Sequence, residues 1–136
     1  MVAKLPYSQK LLDHFQHPHN VGEIENADGI GELTSDVCGD LTVVYISVKD
    51  DRIVDIKFKT FGCAAAIASS SILTDMALGK MLDEALRITD MDIVKAMDNG
   101  IPKEKIHCSV LAADALHQAI TNYRSKDSKD REATFV

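Results

Sequence analysis

The chain has 136 residues, with 15 Lys and Arg against 21 Asp and Glu, for a formal charge of −6. Hydrophobic residues make up 46% and charged residues 26%, which excludes a disordered chain and fits one globular domain over residues 1–136 with a core of its own. An acidic chain with no Trp, four Phe and three Tyr lacks the basic patch and the stacking surfaces that nucleic-acid binding requires.

The elements follow in chain order. Met1 to Tyr7 holds no apolar run followed by small residues, so no secretory leader is expected. Ser8 to Gln16 predicts a first helix, with Leu11, Leu12 and Phe15 at helical spacing and Pro18 behind it. Gly22 to Gly31 reads as loop. Leu41 to Val48 is rich in β-branched residues and predicts a strand, followed by a turn at Lys49–Arg52. Val54, Ile56 and Phe58 alternate with Asp55, Lys57 and Lys59, the mark of a strand with one wet face. The two runs form an antiparallel hairpin, joined by a third strand from Gly31 to Val37.

Beyond Gly62 the period becomes helical. Ala64 to Leu78 predicts an alanine-rich helix stopped by Gly79, and its serines and Asp75 disqualify it as a membrane span. Leu82 to Ile88 predicts a short helix. Thr89 and Asp92 resemble a capping box that opens another, through Met97, and Asn99-Gly100-Ile101-Pro102 breaks it. The last helix is expected from Ile106 to Tyr123, on a stripe of Leu111, Ala115, Leu116, Ala119, Ile120 and Tyr123, with a polar, flexible tail over about 125–136. Strands first and helices afterwards make the class α+β: a small antiparallel sheet of about three strands with helices on one face.

Three cysteines, Cys38, Cys63 and Cys108, lie far apart in a chain expected to be cytoplasmic, so they do not form a disulfide framework. A single free cysteine is most often a small buried hydrophobe. Here each falls at an element boundary, and Cys63 and Cys108 stand at helix starts, where the dipole and unpaired N–H groups favour thiolate. Asp40 lies two residues from Cys38, and His107 directly precedes Cys108. Three thiolates with a carboxylate or an imidazole suit zinc or an iron–sulfur cluster. No Cys-x-x-Cys pair is present, so such a site has to be assembled by tertiary structure.

Cys38-Gly39-Asp40, the run Phe58 to Ser71 around Gly62-Cys63, Ile106-His107-Cys108-Ser109, and Asp13-His14-Phe15-x-x-Pro18-x-Asn20-Val21-Gly22 together resemble the iron–sulfur cluster assembly scaffolds of the IscU / NifU N-terminal domain family. The likeness runs from about Tyr7 to Lys126. It implies an α+β scaffold on which a [2Fe–2S] cluster is built from iron and from persulfide sulfur delivered by a cysteine desulfurase, then passed to apo-proteins. The implied site is Cys38, Asp40, Cys63, His107 and Cys108, with Cys108 as sulfur acceptor and Lys105 beside it. One segment departs from the pattern. Where the family usually reads Leu-Pro-Pro-Val-Lys, a docking motif for an Hsp70-type chaperone, this chain has Ile101-Pro102-Lys103-Glu104-Lys105, so a chaperone partner is not implied.

Two other readings compete. A zinc-binding sulfur acceptor of the SufU type would use the same thiolates, but that type carries an insertion before the last cysteine and lacks the adjacent histidine. A Cys–His hydrolase needs one activated thiol and leaves two cysteines without a role. His14, His17 and His19, interrupted by Pro18, read as a solvated or partner-facing surface rather than a metal site. His117 reads as a helix-boundary residue, Ser69-Ser70-Ser71 as close helix packing, and Asp83, Glu84, Asp90 and Asp92 as charges at helix N-termini.

Overall fold

The structure, a computed structural model, describes residues 7–35, 39–98 and 100–134. Its elements are α1 (Gln9–Gln16), β1 (Gly29–Thr34), β2 (Leu41–Lys49), β3 (Arg52–Phe61), α2 (Ala64–Ala77), α3 (Leu82–Ala85), α4 (Asp90–Ala96) and α5 (Ile106–Thr134), with a 3₁₀ turn at Lys103–Lys105 leading into α5. The strands form an antiparallel sheet in the order β1-β2-β3, with helices packed against it, the α+β class expected.

The hairpin is where the strand pattern predicts it, but its register holds a correction. Val48 pairs with Ile53 and Ser47 with Asp55, which leaves Val54 as an extra residue in β3. This bulge reverses the alternation: Ile53, Ile56 and Phe58 are buried, whereas Val54 is half exposed. A strict period of two cannot show an inserted residue. The third strand begins earlier than read, at Gly29, and runs to Thr34; Asp36 and Val37, the end of the run read as strand, lie outside the described residues. Gly29 and Gly31, at the end of the run read as loop, are strand residues whose missing side chains let α5 approach. A Cβ on Gly31 would lie 2.0 Å from the Ala115 carbonyl oxygen, and one on Gly29 would lie 2.3 Å from that of Ala119.

The core lies between sheet and helices. Val44, Ile46, Ile56 and Phe58 meet Leu73, Leu82, Ile93, Leu116 and Ile120 there, all almost wholly buried. Burying each such side chain contributes about 1.5–3 kcal/mol. The outer edge of β3 is closed by Asn20–Gly22, with the Phe58 N–H donating to the Asn20 carbonyl and the Gly22 N–H to that of Phe58, both at 2.9 Å.

Helix ends follow the expected caps. Ser8 caps α1, Gly79 at φ +84° follows the end of α2, and Thr89 and Asp92 exchange hydrogen bonds at the start of α4. The third helix is one short turn and stops at Ala85 rather than Ile88. The last helix continues past Tyr123 to Thr134, so its backbone is helical through most of the stretch read as a tail. The apolar stripe ends at Tyr123, but the Lys, Asp, Arg, Glu and Ala residues beyond it contain no helix breaker. No helix among the described residues is long and apolar enough to cross a membrane.

Candidate metal centre

Three chain segments meet at one end of the sheet. Leu41 pairs with Phe61 at the last rung of the β2–β3 ladder, which sets Asp40 against Gly62 and, one residue on, Cys63. The missing side chain of Gly62 leaves room for the carboxylate: a Cβ there would lie 2.7 Å from the Asp40 carboxyl carbon. Cys63 is the N-cap of α2. Cys108 lies in the first turn of α5 and is 1% exposed, so it belongs to the core as well as to an element boundary.

The converging atoms are close. Cys63 Sγ lies 3.9 Å from Cys108 Sγ, and Cys108 Sγ lies 3.7 Å from both Asp40 Oδ2 and His107 Nε2. One ligand atom from each of Asp40, Cys63 and Cys108 falls within 4.8 Å of the others. Neither Cys63 nor Cys108 is in a disulfide among the described residues. A tetrahedral ion with bonds of about 2.3 Å to sulfur and 2.1 Å to oxygen or nitrogen separates its ligands by about 3.8 Å (S to S) and 3.6 Å (S to O or N). The three distances from Cys108 Sγ lie within a few tenths of an ångström of those values.

Charge points the same way. Two thiolates 3.9 Å apart repel by about 4 kcal/mol at an effective dielectric constant of 20, and the carboxylate adds a like charge. A cation placed among these atoms would offset that repulsion. Asp40 and Cys108 are buried while Cys63 and His107 are half exposed, so the set has a deep side and an open side. Beneath it, Ser69 Oγ meets Ser109 Oγ at 3.2 Å, tying α2 to α5, and Ser70 Oγ meets Thr60 Oγ at 3.0 Å, tying α2 to β3. The serine run is close packing, as its sequence suggests.

Of the residues read as a site, Asp40, Cys63, His107 and Cys108 come together. Lys105 ends the 3₁₀ turn just before them. Cys38 lies outside the described residues. The flanking segment is pinned, with the Ser35 N–H donating to the Asp40 carbonyl and the Gly39 N–H to that of Ser35, each at 2.8 Å.

A family profile described as NifU-like N terminal domain matches residues 6–130. The chain belongs to this family. Among its NifU-like relatives, "Iron-sulfur cluster assembly scaffold protein IscU 1" of Archaeoglobus fulgidus is 59% identical over 123 residues, covering 90% of this chain and 80% of that protein. The protein named IscU in Escherichia coli K12 is 45% identical over 126 residues, covering 90% and 97%. A crystal structure from Fervidobacterium islandicum, described as an iron–sulfur cluster assembly scaffold for the SUF system, superposes with a TM-score of 0.72 at 25% identity, over 85% of this chain and 96% of that one.

The histidine motif of the NifU-like N-terminal segment lies at the surface, with His17 and His19 exposed and His14 half buried, and two of its rings have partners on α2. His14 Nδ1 lies 2.7 Å from Ser71 Oγ, which also accepts the His19 N–H at 2.8 Å, and His19 Nδ1 lies 2.6 Å from Asp75 Oδ2. Pro18 ends α1 and turns the chain back across α2, which brings the two rings to 4.7 Å. Burial, with a smaller contribution from His19, lowers the His14 pKa below the ordinary imidazole value. His117 is half buried on α5, a boundary residue as read. Asp83 pairs with Arg124, which holds its carboxyl below the usual range.

Proposed function

We propose that this protein is an iron–sulfur cluster assembly scaffold: it accepts sulfur and iron, holds a [2Fe–2S] cluster as cargo on Cys38, Cys63, Cys108 and Asp40 or His107, and passes it to apo-proteins. The observation that carries the reading is the meeting of Asp40, Cys63 and Cys108 at metal-ligand spacing, from segments 23 and 45 residues apart in sequence. The names of the relatives support it.

The chemistry follows from the set. The Cys108 thiolate attacks the terminal sulfur of a desulfurase persulfide; the S–S bond to the desulfurase breaks, its cysteine leaves as thiolate, and Cys108 carries the persulfide. Bringing that sulfur to sulfide takes two electrons from an external reductant. His107, beside Cys108, can take the thiol proton, and Lys105 adds positive charge near the anionic site. Four thiolates would hold a cluster for electron transfer, whereas three with one oxygen or nitrogen donor leave a weaker bond through which the cargo departs. The protein acts as a carrier rather than an enzyme, and Ile101–Lys105 departs from the docking motif of an Hsp70-type chaperone. Ile101 of that segment is buried in the core.

The same donors suit Zn²⁺, so zinc can occupy the site in the cluster-free protein. The likeness to a SUF-system structure keeps a zinc-bound sulfur acceptor as the second reading. Anaerobic reconstitution with Fe²⁺, cysteine and a desulfurase, followed by visible and Mössbauer spectroscopy, separates the two. A [2Fe–2S] spectrum lost in the Cys38→Ser, Cys63→Ser and Cys108→Ser variants supports the scaffold. Retained zinc with sulfur transfer and no cluster supports the acceptor.

A further inference from the structure

His14, His19 and Asp75 form a second cluster of donors that the proposed scaffold chemistry does not use. One ligand atom from each lies within 4.8 Å of the other two. They border an open cavity of about 490 Å³ between α1, the His17–Asn20 segment and α2, with Ile72, Met76 and Ala96 on its apolar side. From Cys63 to Asp75 is twelve residues of helix, about 18 Å, so the two clusters share no donor.

The supporting contacts are those of a held ligand set. Ser71 is fully buried, and one lone pair of its Oγ takes the His19 N–H. Its second lone pair is placed to take a proton from His14 Nδ1, leaving Nε2 as the free donor and fixing the ring. Asn20 Nδ2 donates to Asp75 Oδ1 at 3.0 Å and orients the carboxylate, while Oδ2 faces His19. His19 is about half exposed, and binding an ion replaces its 2.6 Å contact with Asp75 by the ~3.3 Å donor spacing of a tetrahedral site. Two imidazoles and one carboxylate with an open side suit a divalent first-row transition ion that keeps one or more waters.

We propose that His14, His19 and Asp75 bind a divalent transition-metal ion of the Zn²⁺ kind, separately from the thiol site. The ion ties α1 and the following segment to α2, so it binds the folded chain and stabilises it.

The test uses the untagged full chain, titrated anaerobically with Zn²⁺ by equilibrium dialysis and metal analysis. Two equivalents are expected in the parent. His19→Ala and Asp75→Ala should each remove one, with the circular dichroism spectrum unchanged, and His17→Ala should remove none. Cys63→Ser should weaken the other equivalent and leave the histidine-bound one, so failure of this site and failure of the thiol site are distinguishable. In Cys63→Ser, Zn²⁺ should shift the His14 and His19 imidazole resonances and raise the melting temperature, and both effects should vanish with Asp75→Ala. A stoichiometry indifferent to His19→Ala and Asp75→Ala, or imidazole resonances that stay in place at millimolar Zn²⁺, overturns the proposal. Loss of the equivalent in His17→Ala overturns it equally.

Discussion

Replacing Gly31 by Ala should loosen the joint between sheet and last helix. The added Cβ would sit 2.0 Å from the Ala115 carbonyl oxygen and 2.6 Å from the Ala119 nitrogen, both backbone atoms that cannot rotate away. Ordinary contact begins at 3.4 Å, so α5 must withdraw from β1 by more than 1 Å. Overpacking costs about 1–3 kcal/mol where side chains can yield, and helix backbone on both sides puts this substitution near the upper end, about 3 kcal/mol. With a denaturant slope of roughly 1.5 kcal/mol per molar, the urea midpoint should fall by about 2 M. Urea melts followed by far-ultraviolet circular dichroism measure it. Glu32→Ala, one residue along and exposed, serves as the control and should change stability by less than about 0.5 kcal/mol. Because Cys108 rides on the same helix, the thiolate absorption of bound Co²⁺ should weaken in Gly31→Ala. A loss below about 1 kcal/mol, with an unchanged slope, would refute the argument that glycine at this position sets the helix–sheet distance.

Four further outcomes are expected. Asp40→Ala should slow loss of the reconstituted cluster to a chelator severalfold; loss at the parental rate means that Asp40 does not keep the cargo labile. Cys108→Ser should abolish persulfide acceptance from the desulfurase, read as the missing sulfur mass increment, and undiminished loading would remove Cys108 from that role. Ser69→Ala and Ser109→Ala should each cost about 1–3 kcal/mol by orphaning a buried hydroxyl, and the double variant should cost less than the sum; strict additivity would mean the 3.2 Å contact contributes nothing. His14 faces His19, Asp75 and Asp13, and burial lowers its pKa from 6.5, so the unfolded chain takes up this proton first as pH falls. Stability contributed there is intact above about pH 7 and is lost as pH drops below the unfolded value of 6.5 toward the lowered folded one. The melting temperature should therefore fall less steeply with acidification in His14→Gln than in the parent, and equal slopes would contradict it.

Much of this protein is legible in local pattern, because local pattern reports local forces. The β-branched run at Leu41–Val48, the capping pair Thr89 and Asp92, and Gly79 after an alanine-rich helix mark elements that the structure contains. The cysteine motifs and their polar neighbours name Asp40, Cys63 and Cys108, which the structure brings to metal-ligand spacing. Where the sequence misleads, the cause is a distant contact. Gly29 and Gly31 read as loop because the reason for glycine there, the backbone of α5, lies more than 80 residues away. The bulge at Val54 is invisible because pairing partners, not periodicity, set strand register. The partners of the histidine motif, Ser71 and Asp75, come from another helix and leave no mark in the motif itself. Residue chemistry is a local property and can be read in one dimension. Whether Asp40 meets Cys63 and Cys108 at metal-ligand distance, or His14 meets Asp75, is decided only by the packing of the shared core, which sets distances between segments that the chain itself leaves free.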